Sequence, residues 1–385
     1  MLIPLLILLF TPSAAAAPRQ DLPAALHVDP QRGDDGADGS ERRPLASLSA
    51  AVARLPDPVP HSVTIRLGPG IYISTGGRDM PDRSLQLMRR MRPDAVVRFE
   101  AADPQEPPVL AWNGENRMIE VLEGTWQFQN LQIGSFSTAQ RRGLTVNGPA
   151  HVLLQDVAFR LRSNSDAGIW ARYGGRVTLR GAIRLNEHLH DEAADESFCG
   201  ILATEHGIIE FDQRAGASLE LGNGNLAARG YGIIRLGCER ARITCWTASN
   251  NLSIANGGRI DLRNTATTLR AALRNNTPIG LEHDGHILAE DAAITILGSN
   301  DSAIALQKAS TFTCNDIRLA GDFECALWAS SGSMFVGRFL SDIRRLEAST
   351  GAGIHVEKVE GAVIGPVVAR SGGLVSLPDR VVRSD

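Results

Sequence analysis

The stretch GIWARYGGRVTL, Gly168–Leu179, decides how this chain folds, because its pattern returns as GILATEHGIIEF at Gly200–Phe211 and as IGLEHDGHILA at Ile279–Ala289. Aligned, the copies give a twelve-residue block with apolar residues at positions two and four, a turn glycine at eight, and apolar residues again at ten and twelve. Successive side chains of a strand point to opposite faces, so an apolar period of two marks a half-buried strand. Each block therefore reads as strand, tight turn, strand.

Further copies lie on both sides. The block is clean at Gly168 (Ile169, Ala171, Gly175, Val177, Leu179) and Gly200 (Ile201, Ala203, Gly207, Ile209, Phe211). It fits Gly143–Leu154 with Gly148 falling early, Ala303–Cys314 with Ala309 in the turn, Ala326–Gly337 and Gly353–Gly365. Looser copies are MIEVLEGTWQF around Gly124, GIIRLGCERARI from Gly232 and NNLSIANGGRIDL from Asn250. From Gly124 to Gly361 there are about nine steps, a mean period of about 26, which is the range of solenoids whose coils bury their inward residues by stacking on neighbours. A helical repeat is excluded by the period of two, and the leucine-rich pattern is absent. The fold class is therefore all-β, a parallel β-helix of about ten coils. At a strand separation of about 4.8 Å it forms a rod roughly 45 to 50 Å long.

The flanks agree with this reading. PLASLSAAVARL places Leu45, Leu48, Val52 and Leu55 on one helical face, predicting a short N-terminal helix that covers the open end of the first coil. SVTIRLGPGIY then alternates Val63, Ile65 and Leu67 as a first strand. The opening MLIPLLILLFTPSAAAAP reads as a secretory signal over residues 1–17, since about nine apolar residues are too few to span a bilayer, which needs roughly 20. Residues 18–385 then form a single domain, with a cap over 26–60 and coils over about 61–375. The protein is expected to be exported to the periplasm, cell surface or extracellular space, with no transmembrane segment. Lys plus Arg of 39 against Asp plus Glu of 43, for a net charge of −4, gives no basic face for nucleic acid. Five cysteines, Cys199, Cys238, Cys245, Cys314 and Cys325, match no zinc spacing. In an oxidising compartment they allow up to two disulfides and a buried thiol.

LHVDPQRGDDGADGSERRPLASLSAAVARL, followed by VTIRLGPGIY, resembles the N-terminal segment of secreted right-handed parallel β-helix proteins of the pectin-lyase-like superfamily. The coils are also similar to those of tailspike-like β-helices. The resemblance implies a right-handed helix and an extracellular polysaccharide as partner, but that fold hosts lyases, hydrolases, esterases, adhesins and fibres, so it does not choose a reaction. Of the family's catalytic signatures only fragments are present: QDVAF at Gln155, NSD at Asn164, GHI at Gly285 and DIR at Asp342. The expected role is thus binding to, or structural association with, a polysaccharide. The alternatives are a polysaccharide lyase or glycoside hydrolase and a tailspike-like oligomeric fibre or adhesin.

The register of the block selects candidate site residues. Its third position reads Trp170, Leu202, Ile234, Gly280, Ala305, Trp328 and His355, an apolar outer stripe suited to stacking on sugars or to a homo-oligomer interface. Its fifth position reads Arg172, Thr204, Leu236, Glu282, Gln307, Ser330 and Glu357. From these two columns Trp170, Arg172, Trp328, His355 and Glu357 are the candidate substrate-binding residues. Asp301 and Glu324 fall in one column of adjacent coils, about 5 Å apart, as candidate catalytic acid and base or as Ca²⁺ ligands with Asn276 and Asp322 nearby. The insertion NEHLHDEAADES gathers His188, His190, Asp191 and Asp195 as a candidate metal set. GDDGADGS fails as an EF-hand, because Leu45 stands where the bidentate Glu is required, and reads as a Gly/Asp turn. MRRMRPD places Arg89, Arg90 and Arg92 either against an acidic polymer or in solvent.

Overall fold

The computed structural model describes residues 23–384 apart from 75–84, 113–116, 135–141, 162–166, 187–197, 213–216, 223, 238–240, 248–250, 272–276, 299–300 and 361–364. The chain is a parallel β-solenoid, 61% strand and 2% helix. Among the described residues the strands form two sheets, one of twelve strands and one of twenty. A coil contributes three strand segments, as in Phe198–Thr204, which joins the smaller sheet, and Ile208–Phe211 and Ala217–Leu221, which join the larger. Elsewhere the last two fuse into one bent strand, as in Arg176–Leu185 and His286–Gly298, with the bend at a left-handed residue, Gly181 or Asp291.

The core follows from register. In the smaller sheet Ile169, Ile201, Leu226, Leu252, Ile279, Ile304, Leu327 and Leu346 stand directly opposite one another from rung to rung, all fully buried. The next inward column is Ala171, Ala203, Ala228, Ile254, Leu281, Leu306, Ala329 and Ala348. The larger sheet supplies the aromatic filling, with Phe99 stacked on Phe128 at 5.2 Å between centroids and Phe312 edge-on to Phe335 at 5.6 Å. Each such fully buried side chain contributes about 1.5–3 kcal/mol. Since like residues meet like, one alternating pattern repeated in sequence is enough to align every coil.

The glycine at position eight is not the turn residue. The turn itself is made by the two residues before it, both left-handed: Tyr173 and Gly174, Glu205 and His206, Gly230 and Tyr231, Asn256 and Gly257. Position eight instead lies against the backbone of the preceding rung. A Cβ on Gly207 would come within 2.1 Å of the Ala171 carbonyl oxygen, and Cβ atoms on Gly232 and Gly258 would meet the Ala203 and Ala228 carbonyls at the same distance. At Gly285 the approach opens to 3.0 Å, and in later coils Ser310, Ser333 and Ala352 occupy the place. The alanine first read as the turn residue of its copy, Ala309, is the second left-handed residue, with Ser310 after it.

The ends are closed by backbone. The edge of the first strand, Ala25–Val28, is paired by the loop that follows it: His27 N–H donates to Gly39, Leu45 N–H to His27 and Asp29 N–H to Leu45. Here the Gly/Asp turn acts structurally, since Asp35 Oδ1 accepts from the Ala46 and Ser47 amides. Then comes a six-residue helix, Leu48–Ala53, capped by Ser47 and burying Leu48, Ala51 and Val52. At the far end Val381–Arg383 pairs antiparallel with Leu374–Ser376. Arg90 is spent on Asp57 and Arg89 donates to the Val52 carbonyl, so two of the three basic residues of MRRMRPD hold the cap. Among the described residues no helix is long and apolar enough to cross a membrane.

Two glycine variants separate close packing from turn strain. Gly207→Ala, which pushes a methyl into a backbone carbonyl, is expected to cost about 3 kcal/mol, and Gly332→Ala, left-handed but facing open space, about 1 kcal/mol. Urea unfolding followed by circular dichroism checks the order, and equal losses would refute the packing account.

Candidate functional site

A buried polar cluster sits on the outer face of the smaller sheet, where three successive rungs present Glu120, then Thr145 and Asn147, then Trp170 and Arg172. Strand alternation aims these side chains away from the core: Glu120 lies between Ile119 and Val121, Thr145 between Leu144 and Val146, and Trp170 between Ile169 and Ala171. The Asn147 amide donates to Glu120 Oε1 at 2.9 Å, while its carbonyl accepts from Arg172 Nε at 2.5 Å. Gln86 donates to Glu120 Oε2 at 3.4 Å, and Arg172 Nη2 lies 4.0 Å from Oε1. The Arg172 guanidinium stands 4.5 Å from the Trp170 ring centroid and 5.1 Å from that of Tyr173. Trp170 Nε1 donates to Thr204 Oγ1 at 2.9 Å, and that hydroxyl donates on to Glu205.

The outer face of a sheet needs no buried charge to fold, and an ion pair withdrawn from water repays its desolvation only with several hydrogen bonds around it. Glu120 is nonetheless only 6% exposed and Asn147 9%. Next to them the Thr145 hydroxyl is fully buried with no hydrogen-bond partner among the described residues, a deficit of about 1–3 kcal/mol. The Thr145 hydroxyl is out of reach of solvent, so the groups of the cluster that stand at the surface are the half-buried Trp170 and Arg172 and the exposed Tyr173 ring. Glu205 lies three rungs on from Glu120, about 14 Å at the normal strand spacing. That is outside the 5 to 9.5 Å separation of a glycosidase carboxyl pair.

Of the residues selected from sequence, the structure brings Trp170 and Arg172 together. Trp328 shares the Trp170 column through Leu202, Ala227, Ser253, Gly280 and Ala305, but six rungs away, about 29 Å. The columns themselves need correction. Ile234 and Leu236 are fully buried core residues, and His355 and Glu357 lie in Gly353–Val359, a strand of the larger sheet. The copies GIIRL and GIHVE are post-turn halves of the block; both halves open with a small residue and alternate with period two, so alternation alone could not tell them apart. Asp301 and Glu324 do fall on adjacent rungs, joined by a 2.7 Å hydrogen bond from Cys325 N–H to the Asp301 carbonyl, and both are exposed. His188, His190, Asp191 and Asp195, and also Asn276, lie outside the described residues. Among the described residues no three His, Cys, Asp or Glu side chains are placed to hold a metal ion.

Glu120 and Asn147 escaped the sequence reading. Their signal was present in MIEVLEG and GLTVNG, where Glu120 interrupts aliphatic residues at the position Trp170 occupies in its own copy and Asn147 stands at the position of Arg172. Extending the columns into these two looser copies would have found it. Cys245, Cys314 and Cys325 are free and buried, which leaves no room for two disulfides; burial pushes the Cys325 thiol up to about 11 and the other two higher still.

No family model and no curated sequence matches this chain. Among solved structures it is similar to the native GH136 lacto-N-biosidase from Eubacterium ramulus, with a TM-score of 0.39 and 10% identity over 92% of this chain and 68% of that one. The selenomethionine derivative of the same enzyme gives a TM-score of 0.36 and 9% identity over the same shares. Values this low carry no activity from one chain to the other.

The cluster predicts opposite effects for two neighbouring substitutions. Asn147→Ala strips Glu120 and Arg172 of a shared partner and should cost about 2 kcal/mol, whereas Thr145→Val removes an unpaired hydroxyl at constant shape and should be neutral or stabilising. The comparison is read from urea midpoints; a destabilised Thr145→Val protein would show that the hydroxyl is satisfied.

Proposed function

We propose that this chain is an exported β-solenoid protein that binds an extracellular or cell-envelope polysaccharide on the outer face of its smaller sheet. The observation that carries this reading is the Arg172 guanidinium set against the Trp170 and Tyr173 rings, directly over the Asn147–Glu120 pair. Tyr173 is 59% exposed because it stands in the left-handed turn, and along the same edge Tyr231, 64% exposed, stacks on His206 at 5.5 Å. Aromatic faces repeated along a rod suit a polymer of repeating rings better than a single small molecule. Export rests on the leader-like segment at residues 1–17.

Binding is favoured over cleavage because the cluster holds one buried carboxylate rather than a pair at catalytic separation. The catalytic alternative rests on Asp301 and Glu324, which are adjacent along the axis but exposed.

The test is titration of the mature protein against a panel of acidic and neutral polysaccharides by affinity electrophoresis and calorimetry. Tyr173→Ala is expected to weaken binding at least tenfold, about 1.4 kcal/mol, with an unchanged circular dichroism spectrum, and Asp301→Ala to bind as the parent does. Release of reducing ends or a gain at 235 nm, lost in Asp301→Ala and Glu324→Ala, would replace this reading with an enzyme. Binding indifferent to Tyr173 would move the site elsewhere.

A further inference from the structure

The larger sheet carries a concavity of about 280 Å³ on its outer face. Its floor is the outward column Ile233, Arg259, His286, Thr311, one residue from each of four successive rungs. Its side is the neighbouring column, with Arg235 and with Leu288, 39% exposed. Arg259 is exposed and forms no ion pair among the described residues. The surrounding charges are mostly committed: Asp261 holds Arg263 through both carboxylate oxygens, and Glu210 pairs with Arg176 and stands 3.7 Å from Arg235. Asp284 lies toward His286, and Glu290 toward Arg263.

His286 is part of the same construction. Its Nδ1 lies 2.6 Å from Thr311 Oγ1, which leaves Nε2 without a partner among the described residues. Burial, assisted by the nearby Arg259 charge, lowers the pKa of the ring below its ordinary value, so near neutral pH it is an uncharged imidazole. The site therefore offers a guanidinium fork, an imidazole nitrogen on the next rung, strands being about 4.8 Å apart, and aliphatic surface at Ile233 in the floor and Leu288 at the side.

We propose that this groove binds a small organic acid, a carboxylate carried on a compact apolar body, with Arg259 holding the carboxylate and His286 Nε2–H donating to it. The guanidinium is the side chain whose planar fork matches a carboxylate. Binding selects the imidazole tautomer in which Thr311 donates to Nδ1 and the proton sits on Nε2. The apolar body lies against Ile233 and Leu288, which water otherwise wets. The groove is on a different sheet from the Trp170–Arg172 cluster, so this inference stands or falls independently of polysaccharide binding.

The test is long-range ¹H–¹⁵N spectroscopy of the histidine rings of the full chain near neutral pH, with His286→Gln used to assign the signals. Benzoate as probe is expected to give a saturable shift that fixes the His286 proton on Nε2. Arg259→Gln, an exposed substitution with the fold checked by circular dichroism, is expected to abolish it. No saturable shift with benzoate, or one that survives in Arg259→Gln, would overturn the proposal. An equal response to inorganic sulfate would overturn the role of the apolar walls, and an equal response to benzyl alcohol the role of the carboxylate. Tyr173→Ala is expected to leave the benzoate response intact.

Discussion

The Ala171 carbonyl oxygen lies 2.1 Å from where a Cβ of residue 207 would be, and the same approach recurs between Ala203 and Gly232 and between Ala228 and Gly258. This contact between the backbone of one rung and the residue after the turn of the next sets how closely coils stack at that corner. The inward column beside it is alanine where the contact is tightest, at residues 171, 203 and 228, and becomes Ile254, Leu281 and Leu306 where the contact relaxes at Gly285 and gives way to Ser310 and Ser333. The inward residue does not set the corner alone, since a Cβ on Gly175 would meet the Val146 carbonyl oxygen at 2.3 Å and Ala352 occupies the corner that follows Ala329.

Once coils are aligned by such contacts, the outward positions are released from the demands of folding. That freedom makes the Glu120, Asn147 and Arg172 network informative: nothing in the stacking of Ile119, Leu144 and Ile169 requires a carboxylate, an amide and a guanidinium beside them. An aliphatic column there would avoid the desolvation of Glu120. The left-handed turns act in the same direction. A non-glycine residue in that region costs of order 1–3 kcal/mol, yet Tyr173 and Tyr231 occupy it, and the same geometry leaves their rings in solvent at the edge of the face.

The solenoid was legible in the sequence because its signal is additive: an apolar period of two, repeated in register, needs no long-range information. The cluster was legible in half. Trp170 and Arg172 stand in a clean copy of the block, whereas Glu120 and Asn147 stand in copies whose spacing is irregular. The columns failed at Ile234 and His355 for a different reason. A coil has three strand segments with one shared periodicity, and only the backbone contact of the position-eight residue distinguishes the segment before the turn from the one after it. Asp301 and Glu324 were placed correctly on neighbouring rungs because the coil between them is regular; adjacency along the axis does not by itself bury or couple two carboxylates.

The two outer faces also differ in how their polar groups are held. On the smaller sheet the Glu120 carboxylate is buried and accepts from Gln86 on the rung before and Asn147 on the rung after, with the Arg172 guanidinium 4.0 Å away on the rung beyond, and the deficit lies in a neutral hydroxyl, Thr145. Around the groove of the larger sheet two acids are held by arginines, Asp261 by Arg263 and Glu210 by Arg176, and a cation with no ion pair among the described residues, Arg259, stands beside an uncharged imidazole. The unmet hydrogen bond of the first face is sealed from solvent and leaves the exposed Tyr173 and Tyr231 rings as its outermost groups, whereas the unpaired cation of the second stands at the surface. The stacking constraint is the same on both, so the chemical difference between them comes from outward side chains that the inward apolar columns leave free to vary.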